Sequence, residues 1–367
     1  MSEKCVSTVS VNGEEQAAMK FVASLELARD NEGRVLACRR HRFYDPGYYV
    51  WCGSAVFWEG AWWLFYSRWA QKLGFEAWVT HSEIAVARAD RLGEPFVPCG
   101  KKILPMKDGP AWGRDVAHNP TATVVDGTLY LALMATQGMS SQAGIPDRPL
   151  SMDDEIWWEC RNNQRIAVVS ADHPLGPWAM PDHPSFDVNR EGWDSRLVSN
   201  PTLCARPDGG WLLLYKAVEG DDSVFGREVR HGVAVSEAAY GPWHRVKGAL
   251  PFNYEGCDFP AEDPFVWYDH QARIYRAIVK DMVGVFTGVS PSLASFVSAD
   301  GFNWKLTEPG LVMGNTIRWE DGTVEMMERV ERPQVVLDAQ GSPVALQVAV
   351  LPKGRGALSY SLTLLCR

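Results

Sequence analysis

The chain has 367 residues, 46% of them apolar and 22% charged, which suits a soluble globular protein with one large β domain or two ordinary domains. Its formal charge of −9 argues against a nucleic-acid or anionic-membrane surface. No window approaches the roughly 18 consecutive apolar residues of a membrane span, and the opening "MSEKCVSTVS" lacks the cationic and apolar regions of a secretory signal.

In chain order, residues 14–30 ("EEQAAMKFVASLELARD") carry apolar positions at helical spacing and predict a lone amphipathic helix, a candidate contact for a homo-oligomer. Residues 34–43 ("RVLACRRHRF") predict a strand. From there one layout recurs: an apolar strand, a turn rich in Gly and Asp, and a second strand, the signature of a hairpin. The copies are "WCGSAVFWEGAWWLFYSRW" (51–69), "HNPTATVVDGTLYLALMAT" (118–136), "SNPTLCARPDGGWLLLYKAV" (199–218), "AEDPFVWYDHQARIYRAIVKD" (261–281) and "ERPQVVLDAQGSPVALQVAV" (331–350). Further strands follow most hairpins, as in "IAVARADRLGEPF" (84–96), "IAVVSADHPLGPW" (166–178), "GVAVSEAAYGPW" (232–243) and "SFVSADGFNW" (295–304). Each alternates, then ends in a small polar turn and an aromatic. Residues 137–160 interrupt the second copy as a loop insertion.

The unit is therefore four antiparallel strands, repeated five times at roughly 60 to 80 residues, longer than the usual propeller repeat. This predicts an all-β fold: one five-bladed β-propeller over residues 1–367, with blades beginning near 50, 117, 198, 261 and 330. The last copy stops at its third strand, "SYSLTLLCR". Residues 34–43 are expected to supply the fourth and close the ring.

In such a ring the first strands line the axis, and their N-terminal ends open on one face. The converging pairs are Trp51-Cys52, His118-Asn119, Ser199-Asn200, Glu262-Asp263 and Glu331-Arg332. That is more charge than an axis needs as filler. Asp115 and Asp194 lie in W/G/R/D-rich turns just upstream. Arg68, Lys216 and Lys280 end second strands at the same mouth. Trp51 and Trp69 are candidate sugar-stacking platforms among sixteen tryptophans. The eight cysteines form no C-x-x-C pair. They indicate no zinc site and read as reduced thiols of a cytoplasmic protein.

The layout resembles the five-bladed propeller glycoside hydrolases of the family 43, 32 and 117 kind. Asp263 matches the Asp-Pro position of family 43. Glu262 and Glu331 match its acid position, two residues before Pro264 and Pro333. His118, two before Pro120, matches the histidine acid of the family 117 type. Asn119, Asn200 and Arg332 stand where an Asp is expected, so the family 43 triad is not intact.

The resemblance implies an exo-acting, inverting glycoside hydrolase acting on an oligosaccharide. Glu262, Asp263, Glu331, Asp115 and His118 are then the catalytic candidates. Trp51, Arg68, Trp69, Asn119, Asp194, Asn200, Lys216, Lys280 and Arg332 would bind substrate. No cofactor is expected, and the sequence designates no channel cation. A glycoside phosphorylase, a polysaccharide lyase and a non-catalytic carbohydrate-binding propeller are the competing readings.

Overall fold

The computed structural model describes residues 25–105, 108–136 and 144–366. Six sheets carry almost all of the regular structure. The first contains Tyr48–Trp58, Ala61–Ala70, Glu83–Ala89 and Val97–Leu104. The second has Val116–Val125, Thr128–Thr136 and Arg165–Ala171. The third has Leu197–Ala205, Trp211–Val218, Val229–Ser236 and His244–Arg245. The fourth has Ala261–Asp269, Ile274–Asp281, Ser292–Ser298 and Lys305–Gly314. The fifth has Arg329–Leu337, Pro343–Leu351, Tyr360–Leu365 and, from the other end of the chain, Arg42–Phe43.

Local chemistry explains the hairpins. Trp58 pairs with Ala61 and Val125 with Thr128, leaving two-residue turns. Those turns are Glu59-Gly60 and Asp126-Gly127, and all four residues have positive φ. This is the type I′ geometry, whose twist matches the flanking strands. Apolar positions alternate along each strand and fill the gaps between sheets. Phe65, Ile84, Leu131 and Val169 pack between the first and second sheets. Leu214, Val266, Ile278, Leu346 and Val350 belong to the clusters around the third, fourth and fifth. The first strands neighbour one another in order, and the one in the fifth sheet contacts the one in the first.

Three expectations change. Residues 34–43 do not form one edge strand: only Arg42–Phe43 pairs with Tyr360–Leu365. Val35–Ala37 pairs in parallel with Thr316–Trp319, which also pairs with Val324–Met326, making the sixth sheet. The predicted helix lies largely outside the described residues. Its last part runs extended, with Leu27 bridged to Cys366 and Arg29 to Val35. Leu25 and Leu27 are buried in the core that the fourth and fifth sheets share. The second sheet has three strands, and a single bridge from Ile166 to Phe186 stands in place of the fourth. Within the insertion, Glu155–Asn162 is helical and lays Trp157 and Cys160 against the short helix Trp78–His81.

Candidate active site

Each of the five first strands carries a β-bulge at its N-terminal end. Regular pairing breaks between Trp51 and Ser54, His118 and Thr121, Ser199 and Thr202, Glu262 and Phe265, and Glu331 and Gln334. The second residue of each converging pair is left-handed: Cys52, Asn119, Asn200, Asp263 and Arg332 have φ of 55, 56, 47, 56 and 54°. Asn and Asp tolerate this conformation, whereas Cys and Arg seldom adopt it. A bulge re-aims a side chain that would otherwise point between sheets.

The re-aimed side chains join in a hydrogen-bonded chain. The Cys52 thiol, which burial keeps protonated, donates to Asn119 Oδ1 at 2.8 Å. Asn119 Nδ2 donates to Asn200 Oδ1 at 2.7 Å, and Asn200 Nδ2 donates to Asp263 Oδ1 at 2.5 Å. Arg332 Nη1 reaches the same Asp263 oxygen from the other side at 3.0 Å. One residue from each of the five sheets takes part. All five are buried.

The first residues of four of the pairs, all but Ser199, line a cavity of about 90 Å3 with their neighbours. Its walls are Glu262, Asp263, Glu331, Lys216, Arg329, Arg332, His118, Asn119 and Asn200, with Trp51, Trp69, Phe75 and Trp78 as the aromatic side. A second-strand residue of one sheet repeatedly serves the next sheet. Ser67 Oγ accepts from the Asn119 backbone at 3.1 Å. Lys216 Nζ donates to Glu262 Oε1 at 2.5 Å. Lys280, cross-strand partner of Glu262, donates to Glu331 Oε1.

These contacts set the two glutamates apart. Burial raises the Glu331 carboxyl above its ordinary value, and the nearby charges of Asp263 and Glu262 add to the effect, against Lys280. Burial also opposes the Glu262 charge, but Lys216 and Lys280 outweigh it and hold that carboxyl below the usual range. Glu331 therefore keeps its proton to higher pH than Glu262 does. His118 shares a hydrogen bond with Ser82 Oγ through Nδ1 at 2.7 Å and stacks on Trp78, with ring centroids 5.0 Å apart. Burial, together with Arg332 and Lys216, pushes its pKa well down and keeps the ring neutral.

Ten of the sequence candidates thus meet in one pocket: Glu262, Asp263, Glu331, His118, Trp51, Trp69, Asn119, Asn200, Lys216 and Arg332. Lys280 stands behind the wall on Glu331. Three others lie outside the lining. Arg68 is buried between Asp45 at 2.7 Å and Glu83 at 2.8 Å, an ion-pair position within the first sheet. Asp194 accepts from Tyr215 Oη at 3.1 Å and from Arg245 Nε at 2.6 Å. Asp115 sits beside Arg114 at 3.9 Å. Trp51 and Trp69 border the cavity, but packing buries both rings: they meet Phe75 at 5.3 and 5.5 Å between centroids.

Phe75, Trp78 and Arg329 were not singled out from the sequence. The two aromatics lie in an irregular connection whose period signals nothing. Arg329 stands two residues before Glu331, hence on the same strand face, and alternation could have found it. A larger opening of about 550 Å3 lies at the other ends of the first strands, between Phe57, Val125, Tyr268 and Leu337. Its lining carries Asp126, Asp338 and His270 but no lysine, arginine or glutamate.

No protein-family model matches the sequence, and no curated protein is similar to it in sequence. Similarity appears in three dimensions. A solved glycoside hydrolase superposes with a TM-score of 0.65 at 11% identity, covering 96% of this chain and 96% of its own. Zg3597, a family 117 glycoside hydrolase of the marine bacterium Zobellia galactanivorans, gives 0.60 at 14% identity, with 89% of each chain covered. A thermostable family-43 glycoside hydrolase gives 0.57 at 13% identity, with 88% of this chain and 91% of its own covered. At such identities the likeness is one of fold, and the fold is that of the glycoside hydrolases of families 43 and 117.

Proposed function

We propose that the protein is an exo-acting, inverting glycoside hydrolase built as one five-bladed β-propeller, with its active site at the pocket of Glu262 and Glu331. The cyclic order of first strands and the pairing of Arg42–Phe43 with Tyr360–Leu365 support the ring. The observation that carries the function is the pair of glutamates in one cavity with pKa values displaced in opposite directions. Glycosidic cleavage needs one carboxyl that gives a proton to the leaving oxygen and another that is ionised.

In this reading Glu331 is the general acid. Glu262, held on one oxygen by Lys216, has its other oxygen free of any partner among the described residues and directs the attacking water. Asp263 is a positioning residue: fixed by Asn200 and Arg332, its charge keeps the Glu331 proton in place. A neutral His118 cannot act as an imidazolium acid, and its ring serves to pack and orient. The cavity is narrow, about 90 Å3, which suits the end of a sugar chain reaching in from the mouth rather than the middle of a polymer. The reading is tested by following products from defined oligosaccharides. A single monosaccharide released from the first turnover, with the anomer opposite to the substrate linkage by NMR, is the expected result. Internal cleavage removes the exo assignment, and a retained anomer removes the single displacement.

A further inference from the structure

Three carboxylates line the pocket, and each has its own cation. Lys216 serves Glu262, Lys280 serves Glu331 and Arg332 serves Asp263. Arg329 lines the same pocket and is left over. Among the described residues its guanidinium meets no carboxylate and no carbonyl. It lies over the Phe75 ring, 5.4 Å from the centroid, a contact that leaves its N–H groups available to a ligand. Arg332, itself buried, adds a second sign: its Nε and Nη2 have no hydrogen-bond partner among the described residues. In a chain of formal charge −9, a pocket with a surplus cation and unused donors is built for an anion.

We propose that the substrate sugar carries a carboxylate, and that Arg329 binds it. This rests on the glycosidase reading and narrows it to uronic-acid-type sugars. Carboxylate fits better than phosphate on shape. The one guanidinium fork left free at the pocket wall serves the two oxygens of a carboxylate, whereas a phosphate presents three. An Arg–carboxylate pair is planar and two-pronged, so it would also fix the ring's orientation against the Phe75 and Trp78 wall.

The test is binding, kept separate from turnover. Free hexuronates (galacturonate, glucuronate, mannuronate and iduronate) and the matching neutral hexoses are titrated into the full-length protein and followed by calorimetry and saturation-transfer NMR. At least one uronate is expected to bind tenfold or more tightly than its neutral counterpart. Its methyl ester, which keeps the sugar and removes the charge, should lose that preference. Arg329→Ala should abolish the preference, and Arg329→Lys should keep part of it. Because the ester arm uses the wild-type protein, the proposal stays testable even if a variant fails to fold. It is overturned if no uronate binds, if neutral sugars or the ester bind equally well, or if the preference survives in Arg329→Ala. Inorganic phosphate that competes with the uronate at lower concentration, or that is required for turnover, also overturns it and assigns the site to phosphate. Uronate binding with no hydrolysis of any uronide would leave this site standing and count against the glycosidase reading instead.

Discussion

Glu331 and Glu262 belong to the same residue type and occupy equivalent places on adjacent sheets, yet their surroundings push their pKa values in opposite directions. The acid must hold its proton and its partner must be ionised, so activity rises as pH climbs through the lowered Glu262 value. It falls as pH climbs through the raised Glu331 value. Lys280 is the cation on Glu331 that favours its charged form. Lys280→Met should therefore raise the Glu331 pKa further and move the alkaline limb of kcat/KM to higher pH. A limb that stays in place would detach Glu331 from the acid role.

The buried histidines make a separate prediction about stability. His118 and His231 are neutral in the fold, His231 with a pKa pushed down to about 3 by burial and by Lys216. Unfolding returns both to about 6.5. The unfolded chain thus binds more protons in this range, and stability is present above pH 6.5 and lost as pH falls below it. Each histidine contributes a slope of up to about 1.4 kcal/mol per pH unit there. Denaturant titrations between pH 6.5 and 4.5 should show this slope, and His118→Gln should flatten it. An unchanged slope in the variant contradicts the buried neutral ring.

At the scale of elements, the five bulges explain why polar groups meet on one axis. Arg332 and Asp263 pair deep inside the chain of contacts that the bulges create. Removing one partner of a buried pair leaves an uncompensated charge, so Arg332→Met should cost about 3–5 kcal/mol in equilibrium unfolding. A loss under about 1 kcal/mol would mean that water already solvates Asp263. Trp51 shows what the sequence could not tell. As an exposed platform its removal would spare stability, but its ring is buried against Phe75, and Trp51→Ala should cost about 3–5 kcal/mol. The hairpins were legible because turn residues and alternation are local signals. Four of the five converging pairs precede a proline and Trp51-Cys52 precedes Gly53, and a bulge falls on each of them. Their left-handed backbone was not legible for Cys52 and Arg332, residues that seldom adopt it. Phe75 and Trp78 were hidden for a related reason, because their place depends on how residues 71–81 fold over the mouth rather than on any period.

Over the whole molecule, the first and last described segments meet. Arg42–Phe43 completes the fifth sheet, Val35–Ala37 pairs with Thr316–Trp319, and Leu25 and Leu27 are buried in the core between the fourth and fifth sheets. Deleting residues 1–43 exposes the Tyr360–Leu365 edge and strips that core, so the truncated chain should aggregate or melt far below the full one. An equal melting temperature would contradict the closing role proposed for Arg42–Phe43. The sequence suggested a fourth strand for the fifth sheet, and Arg42–Phe43 takes that place. It concealed the division of residues 34–43 between two sheets, since the parallel pairing with Thr316–Trp319 is non-local and leaves no mark on either segment.

The central claim is that Glu331 gives the proton that lets the sugar's leaving group depart. It is tested most directly by turnover of aryl glycosides graded in leaving-group acidity, with wild-type protein, Glu331→Gln and Glu262→Gln. The wild type should hydrolyse at least one series. Glu331→Gln should lose about 10²-fold or more in kcat on poor leaving groups and recover much of it on the most acidic ones, which need no proton. Glu262→Gln should be slow throughout. Equal losses by Glu331→Gln across the whole series, or full activity on poor leaving groups, would contradict the assignment.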